Sequence, residues 1–277
     1  MTNPATSIAS IQADHAVKLL APLTDLVIKA GEAILAVSRK SLQVQGKADG
    51  SPVTEADLAA DRIISEGLAR IDPAIPVVSE ERAEQSQPPF SGSFFLIDPL
   101  DGTKEFIAGR GEFTVNLALV SEGIPLLGIV SAPAIGLLWR GVVGRGADRR
   151  AINGAGAEAP TPIRTRPLPI RGLPWNAAVS RSHGDPATEA FIASRPGAVR
   201  KMLGSAVKFC RVAEGDADIY PRLSPTCEWD IAAGHAVLTA AGGRVTDSKG
   251  AEIRFGQARP DFIIPEFIAW GDPTAIP

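Results

Sequence analysis

The chain has 277 residues, 45% of them hydrophobic and 21% charged, a balance that suits a large globular core and excludes extended disorder away from the ends. Its 28 basic and 31 acidic residues, net −3, leave no broad cationic face for a nucleic-acid polymer, while a small anionic ligand remains compatible. The two cysteines, Cys210 and Cys227, lie apart and without Cys/His ligand spacing, which excludes a zinc motif or a disulfide framework and fits a reducing, cytoplasmic setting.

The first residues lack a basic region followed by an apolar one, and the longest apolar stretch, Pro125 to Trp139, is interrupted by Pro133 and glycines. No signal peptide and no membrane span are expected, although a peripheral place at the inner face of a membrane stays compatible. From Asp14 to Arg39, the spacing of Val17, Leu20, Val27, Ile28, Ala30, Ile34 and Leu35 predicts one long amphipathic helix, or two short ones divided at Pro22. A turn-rich segment then leads into a helix with Thr54 as its N-cap and Leu58, Ile64 and Leu68 facing the core. "AIPVVSEE" and "SFFLID" read as short buried strands that end on acids, and "FTVNLALVSEGIPLLGIVSAP" as a hairpin turned at Glu122-Gly123.

A mostly antiparallel sheet flanked by helices follows from these elements. Residues 144 to 174 are rich in Gly, Pro and Ala, and are expected to form loops and the crossing between two halves, 1–160 and 161–277. After them come a strand in "NAAVSRSH", a helix opened by Asp185-Pro186, a helix stopped at Gly215, an alanine-rich helix ending at Gly242-Gly243, and a final strand at Arg244 to Thr246. There is no internal repeat, no GxxxxGK[ST] loop and no GxGxxG between strand and helix, so the common glycine-rich routes to nucleotide binding are absent.

Five acids stand where a strand or loop meets a turn or helix start: Asp57, Glu80, Asp98, Asp101 and Asp230. Taken singly, Asp57 reads equally well as a helix cap, and Asp230 reads more readily as a cap than as a ligand. Asp98 and Asp101 are harder to explain that way, because two acids at the end of one buried strand repel unless a cation compensates them. Pro99 biases Asp98 to an extended backbone and Gly102 allows a sharp reversal, so both carboxylates and the Leu100 carbonyl can converge. All-oxygen ligands without His or Cys select Mg²⁺ or Mn²⁺ over zinc, and point to phosphoryl chemistry. Thr103 adds a hydroxyl, and the N–H groups of Gly102 and Thr103 face whatever the metal holds.

The run Asp98-Pro99-Leu100-Asp101-Gly102-Thr103 resembles the signature of the magnesium-dependent, lithium-sensitive phosphatases of the inositol monophosphatase superfamily. Ser79-Glu80-Glu81, Trp229-Asp230-Ile231-Ala232-Ala233-Gly234 and the segment Ser51 to Asp57 are similar to its other motifs, in the same order. The resemblance implies an α/β fold of α+β type, layered α/β/α/β/α as in fructose-1,6-bisphosphatase. It implies two or three Mg²⁺ ions: one held by Glu80, Asp98 and the Leu100 carbonyl, a second by Asp98, Asp101 and Asp230, and a weaker third near Glu80. Asp57 with Thr103 would activate the water, and a homodimer is compatible. Glu81 is expected to point away from the ions, since neighbours on an extended segment diverge.

Within that family the chain is more similar to the 3′(2′),5′-bisphosphate nucleotidases, through Lys104-Glu105-Phe106, Ser180 to His183 and the "GSAVKF" segment, where Ala206 stands in place of a usual second serine. Arg222 lies roughly where inositol phosphatases carry a glutamate for ring hydroxyls. An arginine there suits a second phosphate, so Arg222, Lys208 and Ser205 are the expected anion contacts and Ser180 with His183 the nucleoside contacts, the substrate being a small nucleoside bisphosphate. An inositol or sugar-phosphate phosphatase and a non-enzymatic nucleotide or metal sensor are the alternatives; the water-activating pair argues against the sensor. His235 is expected to pack without a catalytic role, Trp229 to wedge its helix against the core, and Cys210 to pack.

Overall fold

The computed structural model describes residues 10–37, 44–46, 52–86, 88–153, 156–169, 173–181, 184–195, 197–257 and 262–277. Ser51 and His183 lie outside them. Ala13–Ala36 form one unbroken helix, α1, that runs through Pro22. Pro22 sits on the solvent face, where the carbonyl it leaves without an N–H partner meets water, so the helix continues. The buried stripe is Ala16, Leu19, Leu23, Leu26, Val27, Ala30 and Ile34, and Val17 is 43% exposed. The core face is therefore turned by about one position from the expected one.

Glu55–Ile71 form α2, capped by Thr54 as expected. Ile64 and Leu68 are buried, whereas Leu58 is 51% exposed and Ala56 and Ala60 pack instead. Helix α2 lies close against α1: a Cβ at Gly67 would come within 2.2 Å of Leu26 Cδ1.

Both helices cover one face of an eight-stranded sheet, whose main order is Thr161–Ile163, Gly146–Asn153, Leu137–Val142, Ile124–Ala132, Thr114–Ser121, Ser93–Asp101, Val77–Ser79. Of these pairings only Val77–Ser79 with Ser93–Asp101 is parallel. The hairpin turns at Glu122-Gly123 with φ of 51° and 75°, the pair of left-handed residues that matches strand twist in a two-residue turn.

Alternation sends Phe95, Ile97, Leu117 and Leu119 toward α1 and α2, and Phe94, Leu96, Ala118 and Val120 the other way. On that second face lie Val207–Ala213 (α5) and Glu228–Ala240 (α6), with Pro186–Ala193 (α4) farther out, while the short helix Thr103–Ile107 (α3) packs Phe106 into the core of the first face. The alanine content of α6 lets it lie directly on the sheet, where a Cβ at Gly128 would come within 2.2 Å of the Ala233 carbonyl. Beyond α5 and α6 is a second sheet, ordered Val199–Leu203, Asn176–Ser180, Ile219–Arg222, Phe267–Trp270, Arg244–Thr246. Its outer core joins Ala177, Val179, Ile219 and Trp270 to Ile192 of α4. The layers run α/β/α/β/α.

Two expectations need correction. Residues 144 to 174 are not only loops, since Gly146–Asn153 is an eight-residue strand near the sheet edge and Thr161–Ile163 pairs with it. The strand at Arg244–Thr246 is not the last, because Phe267–Trp270 inserts between it and Ile219–Arg222, antiparallel to both.

Candidate active site

The strand Ser93–Asp101 loses its regular register at Pro99: Asp98 faces Asn116 and Asp101 faces Thr114, so one extra residue bulges out. Pro99 has no N–H to contribute, and the Leu100 N–H turns inward to Asp98 Oδ1 at 3.1 Å. Gly102 then takes φ 96°, ψ 40°, and a Cβ there would meet Ser205 Oγ at 2.4 Å. The Ser205 hydroxyl is directed at the carbonyls of Asp101 (2.8 Å) and Glu112 (3.0 Å), so its hydrogen clamps the reversal that starts α3.

Three donors converge on one oxygen of Asp101: Ala206 N–H at 2.8 Å, Thr114 Oγ1 at 3.2 Å and Asn116 Nδ2 at 3.3 Å, all on Oδ2. Among the described residues Oδ1 has no hydrogen-bond partner, so it is open to a ligand. Asp57 divides its oxygens in the same way. Its Oδ2 closes the capping box with the Thr54 N–H (2.8 Å) and hydroxyl (2.5 Å), while Oδ1 accepts the Thr103 hydroxyl at 3.0 Å. Cap and chemistry are thus not rival readings of this acid. Asp230 is likewise the third residue of α6, with Thr226 Oγ1 and the Cys227 N–H (3.2 Å) on its Oδ2. Glu80 opens the 3₁₀ turn Glu80–Gln85 and shares a hydrogen bond with Asp98.

Burial, then repulsion from Glu80, Asp101 and Asp230, holds the Asp98 carboxyl well above the usual range. Burial and Asp230 push Asp101 up to about 6 against the pull of Lys208. Asp230 is raised by burial and Glu80, with the Thr226 hydrogen bond and Arg222 opposing. This is an oxygen-only cluster short of positive charge, which fits a hard divalent cation. Among the described residues no three His, Cys, Asp or Glu side chains, as they stand, are arranged to hold an ion. Ligation therefore requires the carboxylates to turn toward a common point from the wall they share.

A cavity of about 210 Å³ opens between the two sheets at this wall. The first half contributes Glu80, Asp101, Gly102 and Thr103, and the second half Ser180, Ser205, Lys208, Arg222 and Asp230. Asp57, Asp98 and Leu100 stand behind the wall, joined to it through Thr103, Glu80 and the bulge. Lys208 is not a solvated surface cation: it is 3% exposed, its Nζ donates to the Ser205 carbonyl at 2.7 Å, and it stands 5.2 Å over the Tyr220 ring. Burial lowers its pKa to about 8 despite Asp101. Burial also opposes the Arg222 charge, but Tyr220 and Asp230 outweigh it and the pKa is raised.

Lining residues that were not expected as contacts include Tyr220, Glu105 and Arg181, the last paired with Glu112 at 2.9 Å. Tyr220 was open to inference, because it stands two positions before Arg222 on one strand and so shares its face. Trp229 and Cys210 pack as expected, Trp229 against Phe262 at 5.6 Å. His235 is buried against Phe255.

Compared with known proteins, residues 16–267 match the model of the inositol monophosphatase family. The chain is 39% identical over 257 residues to the 3′(2′),5′-bisphosphate nucleotidase CysQ of Escherichia coli O157:H7, covering 90% of this chain and 98% of that protein. It is 37% identical over 262 residues to the protein of that name from Buchnera aphidicola subsp. Acyrthosiphon pisum, covering 91% and 93%. Among solved structures, CysQ from Bacteroides thetaiotaomicron superposes with a TM-score of 0.73 at 34% identity, over 91% of this chain and 97% of that one. The Thermotoga maritima IMPase superposes with a TM-score of 0.72 at 26% identity, over 93% and 94%.

Proposed function

The chain belongs to the inositol monophosphatase family, and from that premise we propose that it is a 3′(2′),5′-bisphosphate nucleotidase. It hydrolyses the 3′-phosphate of 3′-phosphoadenosine 5′-phosphate to give adenosine monophosphate and phosphate, in support of sulfate assimilation, and it depends on Mg²⁺. One observation carries the reading from phosphatase to substrate: Lys208 and Arg222 share the cavity with the acids. The acids suit the ions at one phosphate, and the two cations suit a second phosphate. The likeness to the CysQ proteins supports the same substrate.

In this reading Glu80, Asp98 and the Leu100 carbonyl hold one Mg²⁺, Asp98, Asp101 and Asp230 hold another, and a weaker third sits near Glu80; Mn²⁺ suits the same ligands. Bound ions would offset charge on the phosphate and make a water acidic enough to attack it. The chain's own part begins at Thr103, whose single hydrogen goes to Asp57 Oδ1 and whose oxygen keeps lone pairs for a water hydrogen. As the water oxygen bonds to phosphorus and the ester P–O bond breaks, the water's proton passes to Thr103 Oγ1, the Thr103 proton passes to Asp57, and the departing 3′-oxygen takes a proton from solvent water to leave as the 3′-hydroxyl. The Thr54 bonds hold Asp57 in place for this transfer. Gly102 and Thr103 N–H groups would face the reacting phosphate, Lys208 and Arg222 the distal one, and Ser180 with His183 the nucleoside.

The experiment is a steady-state comparison of 3′-phosphoadenosine 5′-phosphate with myo-inositol 1-phosphate, with and without Mg²⁺. A clear preference for the inositol ester would overturn the substrate assignment. A cytoplasmic location and a homodimer belong to the same proposal, and sedimentation velocity tests the dimer.

A further inference from the structure

Helix α2 carries a second buried acid that the proposed reaction does not use. Asp61 lies one turn after Asp57 on the same face of α2 and is 8% exposed. Its Oδ1 accepts the Ser79 hydroxyl at 2.6 Å and Arg82 Nη2 at 3.3 Å, and its Oδ2 lies 3.0 Å from Arg82 Nε. Arg82 Nη2 also reaches Ser65 Oγ, a further turn along the helix.

Ser79 and Arg82 bracket Glu80. Ser79 caps the 3₁₀ turn Glu80–Gln85 and accepts the Glu81 N–H at 3.4 Å, and the turn leaves helical angles at Arg82, with φ −140° and ψ 20°. So short and irregular a turn has few hydrogen bonds of its own to fix a side chain. Both sides of Glu80 are instead tied to one carboxylate on a long, well-packed helix.

We propose that Asp61 is a positioning residue for Glu80: through Ser79 and Arg82 it fixes the turn from which the Glu80 carboxylate meets Asp98, and so sets the affinity for the cation those two acids would share. The inference rests on the reading of Glu80 as a metal ligand. Asp57 and Asp61 then make α2 a common reference for the water-activating acid and the Glu80 turn, one helical pitch apart, about 5 to 6 Å along the axis.

The test uses the full chain with Asp61→Asn and, independently, Ser79→Ala, and measures Mg²⁺ binding by calorimetry together with turnover of 3′-phosphoadenosine 5′-phosphate against Mg²⁺ concentration. Each variant should weaken Mg²⁺ binding about tenfold, the usual effect of losing an outer partner of a ligand. At saturating Mg²⁺, kcat should stay within about threefold and the nucleotide KM should not move. Ser79→Thr, which keeps the hydroxyl, should restore the affinity. In a Glu80→Gln background, Asp61→Asn should add less than about twofold, because the path it acts through is gone. Unchanged Mg²⁺ affinity in both single variants, or a full tenfold loss that persists in Glu80→Gln, overturns the proposal. Wild-type protein that binds Mg²⁺ without hydrolysing the nucleotide would sink the substrate assignment alone, since calorimetry needs no substrate.

Discussion

Replacing Asp101 by asparagine should make the metal-free protein more stable and the enzyme inactive. In the fold the Asp101 carboxyl titrates at about 6 instead of 3.8, because it is buried beside Asp230. At 1.36 kcal/mol for each pKa unit, ionised Asp101 costs the fold about 3 kcal/mol at pH 8. Since the folded-state pKa is the higher one, that cost is absent below pH 3.8, where folded and unfolded chains are both protonated, and it grows to its full size as pH rises past 6. An asparagine oxygen can still accept from Ala206, Thr114 and Asn116, so the variant removes charge and keeps these bonds. For a chain of this length 3 kcal/mol corresponds to a Tm rise of about 6 °C. Differential scanning calorimetry in EDTA should show this gap at pH 8 and its fall to about 0.5 kcal/mol, or about 1 °C, at pH 4. Adding Mg²⁺ should raise the wild-type Tm more than that of the variant. A variant no more stable than wild type in EDTA at pH 8, or a gap of undiminished size at pH 4, refutes the reasoning.

Asp57→Asn should lower kcat by about 10²- to 10⁴-fold, because Thr103 then loses its proton acceptor; Mg²⁺-dependent turnover near the wild-type rate would exclude the Thr103–Asp57 relay. Arg222→Glu should cut kcat/KM for 3′-phosphoadenosine 5′-phosphate by about 10²-fold or more, and for a singly phosphorylated ester by far less, since it sets a carboxylate against the second phosphate; equal losses on both would remove Arg222 from the clamp. Burial holds His235 down to about 3, below its ordinary 6.5, so only the neutral ring suits the fold. Its contribution is full above pH 6.5 and is lost as pH falls toward 3, by up to about 5 kcal/mol; His235→Leu should shift the acid-unfolding midpoint downward in a circular-dichroism titration, and no shift would show that another group governs that limb.

What was legible in the sequence was what covalent spacing enforces. From Asp98 to Thr103 every functional atom lies on neighbouring residues, and the proline and glycine that shape the bulge stand among them. The helix caps at Thr54 and Asp185 are equally local, and both are found where the residue types put them. Elements whose pattern depends on distant partners were not legible. Gly146–Asn153 is half-buried along nearly its whole length, so it offers no two-residue alternation of apolar and polar side chains. Phe267–Trp270 is four residues buried on both faces, a run too short to tell from a loop that packs. The stripe on α1 was displaced because alanine and leucine at Ala16, Leu19 and Leu23 compete with equally apolar Val17 and Leu20, and only the sheet beneath decides between them. In the site, the Ser205 clamp closes across 104 residues, and nothing near Ser205 in sequence announces it.

The cavity between the two sheets also divides the protein's freedom to change. Residues that would grip the ions come mainly from one bank, before Thr103, while Ser180, Lys208 and Arg222 stand on strand and helix ends of the other. On the proposed reading, a lineage could exchange the opposite bank, residue by residue, and try new phosphate esters against an unaltered hydrolytic engine. Asp230 is the exception, an acid of the cluster rooted in the bank that would meet the second phosphate. Drift around α6 is where a change of diet would first endanger the chemistry.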